Sequence, residues 1–201
     1  KVAYNGADMT KPAEIRTLIE ETLARFGVLN ILINNAGIQH TAPVDGFDDD
    51  RWDAIIAINL TSSYHSIKAA LPHMRAAGWG RIINTASVHG LVASTHKAAY
   101  VAAKHGIIGL TKVVALETAE EDITCNAICP GWVRTELVEK QIADLAQRRE
   151  METDAAAREL LAAKQPSKSF VTTEMLGQAA CFLCSPAAAQ MTGISLPVDG
   201  G

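Results

Sequence analysis

Apolar residues fall in two rhythms along this chain, and the two rhythms alternate. Short continuous apolar runs occur at Val28–Ile33, Arg81–Ala86, Ile123–Cys129 and Ile194–Val198. Runs of that length, apolar on successive residues, predict strands buried on both faces. Lys1–Asn5 reads as a further short strand. Between the runs, apolar residues recur three and four apart, which predicts helices over 12–26, 50–76, 98–118 and 172–184. Thr10 is the expected N-cap of the first, with Lys11 and Pro12 opening it and Gly27 ending it. Two polar, charged stretches, about 135–149 and 153–163, also have helical spacing.

Strand and helix in alternation imply a parallel sheet covered on both sides. With right-handed crossovers this is a doubly wound α/β domain of the Rossmann type, one domain over 1–201. Such sheets bind ligands beyond the carboxyl ends of their strands. The loops after residues 5, 33, 86 and 129 are therefore where chemistry is expected. The stretch 135–168 is the long excursion before the chain returns to the sheet, and reads as a helical lid.

Composition narrows the field. The 201 residues are 48% hydrophobic and 20% charged, with a net charge of −4. That is enough chain for a sizeable core. No basic stripe marks a nucleic-acid partner. No apolar run approaches the ~18 residues of a membrane span, and no signal-peptide pattern is present. The chain opens on Lys1 directly into strand-like residues, and reads as the remainder of a longer protein. Cys125 and Cys129, then Cys181 and Cys184, suggest zinc by spacing alone. Residues four apart on a strand lie roughly 13 Å apart, too far to share one ion. The expectation is no metal and four buried, reduced thiols, as in the cytoplasm.

The strongest chemical signal is Tyr100-Val101-Ala102-Ala103-Lys104. Tyr and Lys four apart on a helix share a face. A phenol titrates near ~10, and a neighbouring ammonium favours its phenolate. Such a pair can act as an acid/base. Ser87 lies thirteen residues upstream, where its strand reaches the site edge. Asn34-Asn35-Ala36-Gly37 follows one strand and Pro130-Gly131-Trp132-Val133-Arg134-Thr135 another. Each has a plainer reading as a turn, a cap or packing.

Together, in this order and spacing, these residues resemble the short-chain dehydrogenase/reductase family from Asp8 to Gly201. The resemblance implies a nicotinamide-dependent oxidoreductase. Tyr100 would be the general acid/base. Lys104 would lower its proton affinity and hold the nicotinamide ribose. Ser87 would orient the substrate oxygen. Asn59 would kink its helix and hold a proton-relay water. Asp8 would lie near the adenine, and Asn35, Ala36 and Gly37 would line the cofactor cleft. Pro130, Gly131, Val133 and Thr135 would support the carboxamide end. The family's glycine-rich phosphate turn and its NAD-or-NADP selector normally precede this region and are not in the chain, so NAD is the expected cofactor with NADP open.

Substrate choice falls to Gln39, His89, Lys97, Trp132 and Gln141. A lysine with amide and imidazole donors suits a small carboxylate. Within the family this set resembles the members that oxidise D-3-hydroxybutyrate to acetoacetate, with Gln39, His89, Lys97 and Gln141 on the carboxylate and Trp132 beside the methyl group. His40 reads as structural. The rivals are a 3-oxoacyl thioester reductase, a sugar dehydrogenase, or a non-catalytic scaffold. The helices over 50–76 and 98–118 carry surplus apolar residues, and family members pair these helices, which implies a homotetramer.

Overall fold

The computed structural model describes residues 2–162 and 165–201. Four strands lie parallel in sequential order: β1 (Ile31–Asn34), β2 (Gly80–Thr85), β3 (Ile123–Pro130) and β4 (Ser195–Val198). In register, Asn34 stands opposite Asn84, and Thr85 opposite Ile128. The strand ends therefore align at one edge. α1 (Pro12–Phe26), α2 (Asp49–Ile56), α3 (Ser62–Ala77) and α4 (Ala98–Glu117) accompany β1 to β3. α5 (Glu136–Arg149), α6 (Thr153–Ala162) and α7 (Thr173–Cys184) lie between β3 and β4.

Alternation along β2 separates two cores. Ile82 and Cys125 pack against Ile19, Ile67, Met74 and Val114 of α1, α3 and α4. Ile83 and Ile128 face the other way, onto Leu183 and Ala188. α4 and α7 thus cover opposite faces, although β2 to β3 and β3 to β4 step in the same direction across the sheet. The two crossovers are of opposite hand. The expectation of uniform right-handed crossovers fails at the second, because its connection, residues 131–194, is no tight unit but a long excursion across the carboxyl edge.

α4 is long and apolar enough, by length and composition alone, to cross a membrane. Here it lies along β3, with Ala99, Ala103, Ile107 and Val114 buried. α5 and α6 close on each other through Val138, Ile142, Ala146 and Ala156, with Trp132 and Phe170 against them.

Several boundaries differ from the sequence reading. Residues 2–5 form no strand, and Lys1 lies outside the described residues. Val2 and Tyr4 are exposed, and Asn5 bonds Glu21 at 2.7 Å instead of a neighbouring strand. A strand without a ladder has nowhere to place its backbone hydrogen bonds. The N-cap of α1 is Lys11, not Thr10. Thr10 is drawn instead into a turn on Asp8, whose Oδ1 accepts from its amide at 2.9 Å and its hydroxyl at 2.7 Å. β1 begins at Ile31, not Val28, because only from there does β2 offer partners. The end of the 153–163 helix at Ala163 lies outside the described residues, as does Lys164 within the lid. Cys125 and Cys129 are buried, but Cys181 is exposed and Cys184 half-buried against the core of that face. Among the described residues no three potential ligands gather for a metal.

Candidate active site

The helix before β2 does not run evenly. Between α2 and α3, Ala57–Thr61 forms one π-turn, in which Ser62 N–H donates to Ala57 O. Its wider winding turns Asn59 inward, where it is 2% exposed. The Asn59 amide then clasps one residue of the loop after β1. Ile38 N–H donates to Oδ1 at 2.8 Å, and Nδ2 donates to Ile38 O at 2.9 Å. The clasp gives Asn59 a visible task, the fixing of the loop that follows β1.

That turn is also tied to β2. Asn34 Nδ2 donates to Asn84 Oδ1 at 2.8 Å, and Thr85 Oγ1 donates to Asn35 Oδ1 at 3.2 Å. Thr85 presents its carbonyl to Lys104 Nζ at 2.6 Å. Lys104 is 4% exposed, and its Nζ lies 5.6 Å from the Tyr100 ring centre. Gly90 explains how Ser87 comes so close to α4. A side chain there would meet Lys104 O at 2.6 Å, so only glycine lets the Val88–Gly90 turn press onto the helix. The Ser87 hydroxyl accepts from His89 N–H at 3.1 Å and lies near enough to the Tyr100 phenol to pull its proton affinity down. Ser87, Tyr100, Lys104 and Asn59 thus meet beyond the ends of β1 and β2.

Burial dominates the electrostatics. It pushes the Tyr100 phenol above its ordinary value, with the Ser87 hydroxyl pulling partly back. It pushes Lys104 down to about 8. The expected lowering of the phenol by Lys104 is therefore not what this site displays. Both groups are desolvated, and each resists the charge that would help the other. Cys129 is raised to about 11 by burial, with the Ser87 backbone amide pulling partly back.

The residues expected at the cofactor fall into two groups. Asn35, Ala36 and Gly37 lie exposed along the cleft, and a side chain at Gly37 would come within 3.8 Å of Lys104 Nζ. Met9, Asn35, Ala36 and Ser62 line a cavity of about 100 Å³ beside them. Lys104 retains donor capacity beyond its one carbonyl, next to an open glycine, which is what a ribose hydroxyl requires. The residues present fit a nicotinamide nucleoside. Asp8 stands apart from the catalytic groups, half-buried before α1. Its carboxyl is held low by the Thr10 amide and hydroxyl. Pro130 ends β3, Val133 bridges to Val171, and Thr135 is the exposed N-cap of α5.

The substrate set is more scattered. Lys97 is the N-cap residue of α4, one turn from Tyr100. His89 meets the Tyr100 ring edge-on at 6.0 Å between centres. Its ring nitrogens lie on two serine hydroxyls, Nε2 at 3.0 Å from Ser94 and Nδ1 at 3.5 Å from Ser87. Gln39 is exposed beyond the cleft, and Gln141 half-buried on α5. Trp132 packs into the α5–α6 cluster. His40 stacks edge-on against Phe47 at 5.5 Å, a packing role.

Sequence reasoning missed three residues. Thr85 acts through its carbonyl, which no side-chain pattern announces. Ser94 sits in a loop without periodicity. Gln165 is 1% exposed, accepts from Trp132 N–H at 2.9 Å and donates to Ser169 O. Its only sequence signal is an amide just after a charged helix.

Comparisons with known proteins agree with this geometry. A family profile described as enoyl-(acyl carrier protein) reductase matches residues 2–201. The D-beta-hydroxybutyrate dehydrogenase of Cupriavidus necator is 56% identical over 201 residues, all of this chain and 78% of that protein. The D-beta-hydroxybutyrate dehydrogenase of Rhizobium meliloti is 52% identical over 200 residues, again 78% of its length. The crystal structure of levodione reductase superposes with a TM-score of 0.87 at 33% identity, covering 97% of this chain and 74% of that one.

Proposed function

We infer the reaction from one premise: the chain belongs to the short-chain dehydrogenase/reductase family, whose dehydrogenases use a nicotinamide cofactor. The protein oxidises D-3-hydroxybutyrate to acetoacetate, with NAD as the proposed cofactor. The observation that carries this reading is the gathering of three groups at one strand edge: Lys104 Nζ 5.6 Å from the Tyr100 ring centre, and Ser87 joined through His89 N–H to the ring that meets Tyr100 edge-on. Two relatives of that name, at 56% and 52% identity, support the choice of acid.

In this mechanism the substrate's 3-hydroxyl enters between Ser87 and Tyr100. Ser87 donates to its oxygen and fixes its direction. Tyr100 Oη takes the hydroxyl proton as C3 is oxidised. Lys104, held by Thr85 O, would carry the nicotinamide ribose and keep positive charge beside the phenol. The bound nicotinamide supplies the hydride acceptor. Asn59 secures the wall that Gly37 presents to that ring, and lies on the proposed proton route. Lys97, His89, Gln39 and Gln141 gather the carboxylate, and Trp132 walls the methyl group as α5 and α6 close. Tyr64, Val113 and Leu116, exposed on α3 and α4, support a homotetramer. The four free thiols fit a reducing compartment such as the cytoplasm.

The test is initial-rate oxidation of D-3-hydroxybutyrate, its L-isomer, its methyl ester and a 3-hydroxyacyl thioester, each with NAD and NADP. The D-acid with NAD should give the highest kcat/KM. Lys97→Ala should raise KM for the acid roughly tenfold or more and leave the ester nearly unchanged. A preference for the thioester would replace the small-acid reading. An equal effect of Lys97→Ala on acid and ester would remove the carboxylate anchor.

A further inference from the structure

Trp132 is the second residue beyond β3, where the chain leaves the sheet for α5 and α6. Both of its backbone polar groups are taken. Its carbonyl accepts from Val171 N–H at 2.9 Å, a bond between two backbones. Its N–H goes to a side chain, Gln165 Oε1, at 2.9 Å. Gln165 is 1% exposed, and a buried amide costs free energy unless it is bonded. Its Nε2 donates to Ser169 O on the chain returning from α6. Its own N–H donates to Leu161 O at 2.8 Å, so its backbone continues the last turn of α6. One side chain therefore joins the end of α6 to both the outgoing and the returning chain. Gly131 is fitted to it. A side chain there would meet Gln165 Oε1 at 2.8 Å and Asp199 Cα at 2.9 Å.

The root of the arm is also fastened by backbone alone, through the Val133–Val171 bridge and Arg134 N–H to Val171 O at 3.1 Å. What the Gln165 amide adds is a fixed Trp132 N–H. With both ends of its backbone held, Trp132 directs its indole onto the cluster of Val138, Ile142, Ala146 and Ala156. We propose that Gln165 is a specificity-determining positioning residue. By holding the Trp132 amide it fixes the indole, and so the size of the group that the cleft takes beyond C3. The inference rests on the reading of Trp132 as the wall beside the substrate's methyl group. Gln165 itself touches no reacting atom. A fixed wall distinguishes substrates one methylene apart by roughly 10- to 200-fold. A wall held by its carbonyl alone gives up part of that discrimination.

The test is the ratio of kcat/KM for D-3-hydroxybutyrate to that for D-3-hydroxyvalerate, one methylene longer. Gln165→Leu should lower this ratio about fivefold or more, with kcat for the shorter acid within about twofold. Trp132→Ala should lower the ratio at least as far. In the Trp132→Ala background, Gln165→Leu should lower it no further, because both act through one indole. An unchanged ratio in Gln165→Leu, or a further fall in the double variant, overturns the proposal while Trp132 keeps its place as the wall. An unchanged ratio in Trp132→Ala removes that wall, and the proposal with it. Gln165→Glu separates positioning from mere stability. It keeps an acceptor for the Trp132 amide and loses the donor to Ser169 O, so its urea midpoint should fall while the ratio stays within about twofold of the wild type. A ratio that falls with stability in Gln165→Glu overturns the proposal, and this arm stands where Gln165→Leu folds poorly. If the wild type oxidises another secondary alcohol and neither acid, the substrate reading fails alone, and the ratio is read on that alcohol and its next homologue.

Discussion

Two regions of this molecule touch the same cleft and are built in opposite ways. The inner region, around Ser87, Tyr100, Lys104 and Asn59, stands on β2, α4 and the π-turn, and three of these four residues are fully buried. Its side chains are spent on backbone groups, Thr85 O and both polar atoms of Ile38. The outer region runs from the loop before Lys97 to the arm of α5 and α6. Its anchors are few, and one buried amide, Gln165, ties Trp132 to the returning strand of chain. On the proposed reading, the difference teaches that the core fixes the reaction type, while the choice of substrate hangs on a separately fastened arm.

The comparison breaks first, if at all, at Tyr100. Tyr100→Phe should lower kcat about 10³-fold, near 4 kcal/mol, with the cofactor dissociation constant within about twofold. Substantial turnover would move the chemistry elsewhere. Next comes the cost of burying Lys104. Unfolded, it keeps its proton to pH 10.5, but folded only to about 8. Between those values the unfolded chain binds more protons at this group, so its contribution to stability rises with pH, by about 3 kcal/mol in full. The buried Cys125 and Cys129 thiols, raised from 9.0 to about 12 and about 11, act the other way as the unfolded thiols ionise, and so does Tyr100 above pH 10. From pH 7.5 to 9.5 the urea midpoint should hold nearly level in the wild type and fall in Lys104→Met.

The outer region should respond differently. Gln165→Leu removes the partner of Trp132 N–H and should cost about 2 kcal/mol of stability. KM for the acid should rise severalfold while kcat changes little. An equal fall in kcat would mean that the arm also supports the inner centre. The smallest effect is expected at His96, which holds φ at 64° and passes its carbonyl to Ala42 N–H at 3.0 Å. His96→Gly should raise stability by about 1 kcal/mol, since the left-handed region strains a side chain. Lys97, next in the chain, should keep its effect on KM.

Most of the inner region could be read from the sequence, for a physical reason. Tyr100 and Lys104 are tied by helical period, and Ser87 by the end of an apolar strand. The outer region obeys no such period. Gln165 reaches Trp132 across a fold, and His89 is reached by Ser94 through a loop. The first strand, at residues 1–5, was misread because an apolar start resembles a strand whether or not a neighbour pairs with it. The second crossover's hand was misread because the usual rule describes compact units, and residues 131–194 are not one.

The clasp at residue 59 has one more implication. A single residue, Ile38, asks for an acceptor and a donor at once, within one short reach. Aspartate would answer only the first request and leucine neither, while glutamine's extra methylene would overshoot. Of all the side chains a randomised library could supply at that codon, a screen for turnover should return asparagine alone.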